Sequence, residues 1–408
     1  MRVTLFSNDR EAFFAGRPNR FLIMARSGGD LIPCHCPNPG RMEELLFPGT
    51  RLILERRQGA GIQDGGKAIQ AAGGKAAKTA WTAAALYHLP LGGDSSSSGN
   101  SGDETIVPLI SARANLAAEK LILPRIIPAL KETRPEFTLG NSRFDFLCTG
   151  RGNTKHLVEV KACSLVEYET AMFPDAPSER ALKHLEKLAA LKSQGYVCHI
   201  VFVIVHGRVE VFTPNLHTDP AFAAALYRHK KDLSLHAALI QCNRDGEAVL
   251  LKEKIPVVFH GKLAEENRGS YLVMLHLKRK TAITAGSLGK LSLKPGWYVY
   301  SGSALQNLRQ RLSRHLRKTN KTKHWHIDYL VPRGTGLKGF PIASRRSLEC
   351  DLAAELKKAG GRGIPGFGAS DCRNSCGSHL FYFENPPLEN REFTGMLLRF
   401  RHREAFIP

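Results

Sequence analysis

The sequence predicts a mixed α/β (α+β) chain of more than one domain, and three observations carry that prediction. Short strand-like runs separated by Gly and Pro fill the first 56 residues. A leucine-striped helix followed by a continuous apolar, β-branched run occupies 178–205. A fresh apolar strand pattern opens at Gly269, where the charge balance also changes. The length of 408 residues is itself that of two or three domains.

The elements follow in order. Arg20–Ala25, Leu31–His35 and Thr50–Glu55 read as strands of a small β-barrel or sandwich within residues 1–90. Residues 58–78 are rich in Gly, Ala and Gln, and 92–103 read GGDSSSSGNSGD; both are taken as low-complexity insertions without chemistry. An α/β block then spans 104–259. Ser111–Ala129 is expected to be helical, with a break at Pro124, and Glu136–Cys148 and Lys155–Cys163 are expected to be strands joined by TGRGN. Ser178–Gln194 is a helix with Leu182, Leu185, Leu188 and Leu191 on one side and Gly195 closing it. Tyr196–Val205 has the composition of a strand buried on both faces. Val209–Thr213, Ala237–Cys242 and Ala248–Leu251 are candidates to extend the sheet. Polar residues 260–268 read as a linker, 269–385 as a second α/β domain, and 386–408 as a basic tail.

Composition narrows the function. Lys+Arg number 58 against 37 Asp+Glu, a formal net charge of +21. From Gly269 onward there are 24 Lys+Arg and 9 Asp+Glu. Such an excess of one sign points to a polyanionic partner, with nucleic acid ahead of a membrane surface. No apolar run is long enough to span a bilayer, and no basic amphipathic helix has a wide aromatic face. The beginning of the chain has charges where the apolar core of a signal peptide would sit. Nine cysteines, an odd number spread widely, fit a reducing cytoplasm more than a disulfide framework.

The first chemical constellation lies on the paired strands. In Leu157-Val158-Glu159-Val160-Lys161, alternation places Glu159 and Lys161 on one face and the valines on the other. In Phe144-Asp145-Phe146 it sets Asp145 opposite two aromatic rings. Acids within apolar strands are costly unless compensated, and a hard cation such as Mg²⁺ (or Mn²⁺) compensates two carboxylates. Lys161 would then orient a water or stabilise phosphoryl charge. The pattern Asp-x13-Glu-x-Lys on a hairpin is that of PD-(D/E)XK nucleases, and Glu119 on the preceding helix is a further candidate ligand. A strand-edge ion pair is the plain alternative for so short a motif.

Longer segments add to it. HCPNPGRM (35–42), NSRFDFL (141–147), LVEVKACSL (157–165) and FPDAPSERALKHLEKL (173–188) closely resemble the sugar fermentation stimulation protein family over about residues 10–260. The resemblance implies an OB-like β-barrel followed by a PD-(D/E)XK-like mixed sheet with flanking helices. Family members are described as DNA-binding, as candidate nucleases or as regulators of sugar metabolism. Asp145, Glu159 and Lys161 fall on the nuclease-like positions, and Asp175, Glu179, Arg180 and His184 on the family's helix motif. Arg20, His35, Asn38 and Arg41 would line a nucleic-acid groove of the barrel. Arg180 and His184 stand one turn apart and are a second candidate contact. Cys34-x-Cys36 lacks a partner pair with zinc-ligand spacing.

The second constellation follows Gly269. Leu305, Leu308, Leu312 and Leu316 recur at helical spacing, and seven Lys/Arg with no acid lie between Leu305 and Ile327. Arg314, Arg317, Lys318, Lys321 and Lys323 are therefore expected to face a polyanion. GWYVYSGSA (296–304), KHWHIDYL (323–330), LECDLA (348–353) and GFGASDC (366–372) resemble the GIY-YIG nuclease superfamily, and more closely an uncharacterised GIY-YIG-like domain also found fused to endonuclease III. By position Tyr271, Tyr300, Arg311, His315 and Glu349 match the superfamily's catalytic set, with Glu349 holding the metal. The motif here departs to GSY and YSG, with a long gap between them and no clearly placed Asn after Glu349. His324, His326 and Asp328 alternate with Trp325, Ile327 and Tyr329 as on one strand face, and with Cys372 and Cys376 they are weighed as zinc ligands, but zinc is not expected. Arg345, Arg346 and RFRHR (399–403) are candidate phosphate contacts.

Two functions remain at this point. One is a Mg²⁺-dependent nuclease acting on DNA or RNA, with DNA favoured. The other is a non-catalytic DNA-binding regulator of sugar metabolism genes.

Overall fold

The computed structural model describes residues 1–57, 61–62, 68–69, 79–91, 104–370, 372 and 374–406. Of the insertion at 58–78 only the paired dipeptides Gly61–Ile62 and Ala68–Ile69 are described; that at 92–103 lies outside the described residues. The chain forms two compact units. The first comprises Met1–Asn215 and Ala221–Phe259, and the second Leu216–Pro220 and His260–Pro408.

In the first unit one sheet runs throughout. Asp30–His35, Leu22–Ser27, Arg10–Asn19 and Arg51–Arg56 pair in succession, and Arg51–Arg56 returns to pair with Trp81–His88, which also pairs with Asp30–His35. Closure removes free edges and gives the OB-like barrel the sequence implied. Ile23, Cys34, Leu52 and Leu54 are fully buried. The barrel is continuous with the α/β part, because Trp81–His88 pairs with Thr105–Pro108 and that strand with Ser234–Cys242. The stretch between residues 90 and 104 therefore does not divide two compact units.

Next come Val197–Ile204 and Lys155–Cys163, parallel to each other and to Ser234–Cys242, then Ser142–Thr149 and Glu132–Leu139, antiparallel. Val197–Ile204 is buried on both faces, as its apolar run, interrupted by His199 alone, predicts. Glu247–Lys252 extends the sheet. Val211–Pro214 does not; it pairs with Thr170–Phe173 in a separate three-stranded sheet. The helix Glu179–Leu191 covers one face through Leu185 and Leu188. The other face meets the run Arg113–Ile126, which contains a π-helical turn at Ala118–Ile122.

The second unit is an antiparallel sheet ordered Thr335–Ala343, Gly269–Leu277, Gly296–Ala304, Leu380–Phe383, Arg362–Gly363. Gly269–Leu277 buries both faces. Tyr271, Val273 and Leu275 meet Leu308 and Leu312, while Leu272 and Met274 meet Leu352, Leu356 and Phe393. Three expectations are corrected here. The supposed linker contains a helix, Gly261–Glu266, that buries Leu263 and Ala264. The basic tail is the helix Arg391–Phe406, seated on the sheet by Phe393, Met396, Leu397 and Phe400. The HWHID stretch is not a strand: His326–Leu330 is helical, because Asp328 Oδ2 accepts the His324 and Trp325 amides at 3.0 and 3.1 Å and starts a turn there.

Candidate active site and nucleic-acid interface

Ser142–Thr149 and Lys155–Cys163 pair only from Phe146↔Val158 to Thr149↔Lys155. Where pairing stops, the Asp145 side chain takes over, accepting the Val160 amide at Oδ2 (2.7 Å). The departure overrides the expected alternation. Phe146 packs with Val158 and Val160, but Phe144 joins Leu157 and Leu185 in the other core. Asp145 Oδ1 accepts from Asn115 Nδ2 at 2.8 Å.

Glu159 is 5% exposed. Its Oε1 takes Lys161 Nζ at 2.5 Å and His184 Nδ1 at 2.8 Å, while Oε2 is buried with no hydrogen-bond partner. Burial raises its carboxyl pKa, but His184 and Lys161 outweigh burial and hold it below the ordinary value. Asp145 shifts the other way, raised by burial and by the Glu159 charge. Two carboxylates near enough to repel, with an orphaned buried oxygen between charged neighbours, suit a hard divalent cation. Asp145, Glu159 and Lys161 are thus brought together as expected. Glu119, on the π-helical turn, pairs with Lys120 at 3.0 Å. His184, assigned to a nucleic-acid face by sequence, instead belongs to Glu159. Asn115 was missed, although it stands four residues before Glu119 on the same helical run.

Of the barrel's candidates, Arg20 and Arg41 are exposed and His35 is half-buried. Asn38 is not a groove residue. It is buried, its Oδ1 caps the Gly40 amide at 2.9 Å and its carbonyl accepts from Arg17. This turn rests on Asp175, whose carboxylate accepts the Met42 amide at 3.3 Å and leaves no room for a side chain at Gly40. Arg180 is exposed.

In the second unit Tyr271 Oη lies 3.0 Å from His315 Nε2, and His315 Nδ1 lies 3.3 Å from Asp328 Oδ1. Tyr300 is buried beside His315. Burial alone would raise the Asp328 pKa; hydrogen bonds from His315, the His324 and Trp325 amides and Lys321 hold it well below the carboxylate range. Lys321 bonds Asp328 at 3.0 Å and caps the Arg314 and His315 carbonyls, so it is not a phosphate contact. Arg314 is likewise engaged by Asp328. Arg311 and Arg314 stack on Trp325 at 4.7 and 4.5 Å. Arg317, Lys318 and Lys323 are exposed. Tyr271 and His315 are 2% and 0% exposed. Glu349 accepts from Ser303 Oγ (2.9 Å) and pairs with His379 Nδ1 (2.9 Å). Arg345, Arg346 and Arg399 pair with Glu266, Glu404 and Glu355, and Arg401 is buried against the Pro341 carbonyl. These arginines are taken up by the fold. His326 Nδ1 accepts the Gly368 amide, and neither His326 nor Asp328 belongs to the group of metal-ligating side chains that converges among the described residues.

A family model described as the sugar fermentation stimulation protein RE domain matches residues 112–247, and one described as the SfsA N-terminal OB domain matches 16–88. The sugar fermentation stimulation protein homolog of Pyrobaculum neutrophilum is 33% identical over 251 residues, spanning 61% of this chain and 94% of that one. The chain belongs to the sugar fermentation stimulation protein family. The family's homologs in Clostridium kluyveri and Chloroflexus aurantiacus are 30% and 32% identical, over 60% of this chain and 96% and 85% of theirs. Residues 270–401 match the domain of unknown function DUF123, so this member carries a second, C-terminal domain. The solved structure of Pyrococcus furiosus SfsA in complex with Ca²⁺ aligns at TM-score 0.49 and 23% identity, covering 63% of this chain and 100% of that one.

Proposed function

We propose that this protein binds DNA and hydrolyses its phosphodiester bonds with the help of a divalent cation, Mg²⁺ or Mn²⁺, at the Asp145–Glu159 site. The observation that carries the reading is the buried, unpartnered Oε2 of Glu159 beside a second carboxylate and a lysine. Asp145 and Glu159 would hold the cation, which when bound supplies positive charge to a phosphoryl oxygen and acidifies a water. Lys161, fixed on Glu159, keeps its ammonium where charge develops on the phosphoryl group. His184 holds Glu159 in place through Nδ1. Exposed Arg20, Arg41, Arg180, Arg317, Lys318 and Lys323 would contact backbone phosphates. A cytoplasmic setting agrees with nine free cysteines; among the described residues no helix is long and apolar enough to cross a membrane.

The second reading, a DNA-binding regulator without catalysis, is favoured by the burial of Tyr271 and His315, which leaves the C-terminal domain a binding rather than a cleaving role. One assay separates the two. Labelled single-stranded, duplex and branched DNA and RNA are incubated with the full chain and Mg²⁺, Mn²⁺ or EDTA. Metal-dependent product that disappears in Glu159→Ala supports the nuclease; cleavage retained in that variant overturns the site. No product, with binding whose log affinity falls by about 0.9 per neutralised phosphate for each log unit of salt, supports the regulator.

A further inference from the structure

The geometry points to a structural zinc site in the C-terminal domain, held by Cys350, Cys372, Cys376 and His379. The donor atoms of these four side chains all lie within 4.8 Å of one another. Cys350 Sγ and Cys372 Sγ are 3.6 Å apart. Zn–S bonds of about 2.3 Å in a tetrahedron place neighbouring sulfurs about 3.8 Å apart, whereas a disulfide needs about 2.05 Å. The pair already stands at the zinc spacing.

The chain is arranged around this point. Cys350 sits in the first turn of the helix Glu349–Lys358. Cys372, Cys376 and His379 follow a C-x3-C-x2-H spacing. Backbone bonds from Gly366 to Gly377 and from His379 to Phe367, both 2.8 Å, draw that segment closed. His379 is 3% exposed and its Nε2 makes no hydrogen bond, while Nδ1 faces Glu349 Oε1 at 2.9 Å. That is the arrangement of a metal-binding imidazole, one nitrogen on the ion and the other donating to a carboxylate. Three thiolates and an imidazole form a soft, closed donor set that suits zinc over Mg²⁺. On binding, each thiol loses its proton to solvent, and neutral His379 keeps the Nδ1 proton on Glu349. Glu349 is then a positioning residue for the zinc ligand. The ion would pin the helix Glu349–Lys358 to the strand Leu380–Phe383. Sequence weighed two of these four residues but paired them with the wrong histidines.

The test is metal content of the full chain, purified under reducing conditions and desalted. Elemental analysis should find about one zinc per chain, falling to the blank in Cys372→Ser and Cys376→Ser but unchanged in Cys34→Ser and Glu159→Ala. Glu349→Gln should weaken zinc about 10–100-fold in competition with a chelator. Should the cysteine variants misfold, the wild-type chain still decides: its cobalt-substituted form should show tetrahedral d–d absorption with sulfur charge transfer. Absence of zinc and of that spectrum overturns the proposal. So does zinc retained without Cys372 and Cys376, or a Cys350–Cys372 disulfide in freshly isolated protein.

Discussion

Glu159 offers one oxygen to Lys161 and His184 and keeps the other free of partners. His184 therefore acts on the proposed chemistry through Glu159, without touching substrate. Replacing it by Ala should lower activity or metal affinity about 10–100-fold. A purely structural role would change the melting temperature instead. The loss should shrink as Mg²⁺ is raised, and His184→Gln, which can still donate a hydrogen bond, should recover part of it. If His184→Ala cleaves at the wild-type rate across a metal titration, the positioning role is wrong. Gly302 makes a second point at this scale. It pairs across the sheet with Tyr271, and a Cβ there would lie 2.5 to 2.9 Å from the Tyr271 hydroxyl and ring. Tyr271 cannot yield easily, because its hydroxyl is bonded to His315 and its ring is 2% exposed. Gly302→Ala should cost about 1–3 kcal/mol, the usual effect of overpacking. Urea unfolding of both proteins measures it, and an unchanged midpoint would refute the steric account.

The helix Glu179–Leu191 shows which forces shape an element and carry a side chain to the site. Ser178 caps it, accepting the Ala181 amide at 3.1 Å, and Leu185 and Leu188 bury it on the sheet. The cap is worth about 1 kcal/mol and burial of one leucine about 2–5 kcal/mol. Leu185→Ala should therefore destabilise by at least twice as much as Ser178→Ala in thermal unfolding; equal losses would mean the helix is held from its end. Since His184 precedes Leu185, the same burial aims it at Glu159. This element was readable because its leucines repeat with the helical period and Gly195 stops it. The barrel, the buried strand Val197–Ile204 and the pairing of Asp145 with Glu159 and Lys161 were readable for the same kind of reason, a local period or a spacing. What was not readable depends on side-chain partners that carry no periodic signal. The tail Arg391–Phe406 looks like a basic tail until its arginines meet Glu355 and Glu404 and its aromatics meet the sheet. His324, His326 and Asp328 alternate as in a strand, yet one carboxylate capping two amides turns the chain into a helix. Asn115 is thirty residues from Asp145, a separation that carries no periodic signal.

Charge burial across the first unit sets how the whole molecule responds to acid. His156, His199 and His236 form a chain across three neighbouring strands, with nitrogens 2.9 and 3.1 Å apart. Each link needs one N–H and one bare nitrogen, so a second proton on the middle ring, His199, would face a donor with a donor. Burial, then the neighbouring imidazoles, push His199 down to about 3; burial, then Lys254, push His236 to about 4. His206, buried beside His88, is also pushed to about 3. In the unfolded chain these rings protonate below about pH 6.5. Unfolding therefore takes up protons as pH falls, and stability declines from about pH 6.5 until the folded rings titrate near 3 to 4. Glu44 opposes this. Complete burial, followed by the Asp175 charge, raises its carboxyl well above the ordinary value, so the folded state binds a proton the unfolded state has released. Imidazoles pushed down outnumber the carboxyls pushed up, so the net effect is proton uptake on unfolding and a loss of stability as pH falls from about 6 to about 5. The melting temperature of the full chain should fall steeply over that range. His199→Gln should flatten the fall and Glu44→Gln should steepen it. A single variant moving the slope in the wrong direction would show that the charge state of these groups is set by something other than their burial.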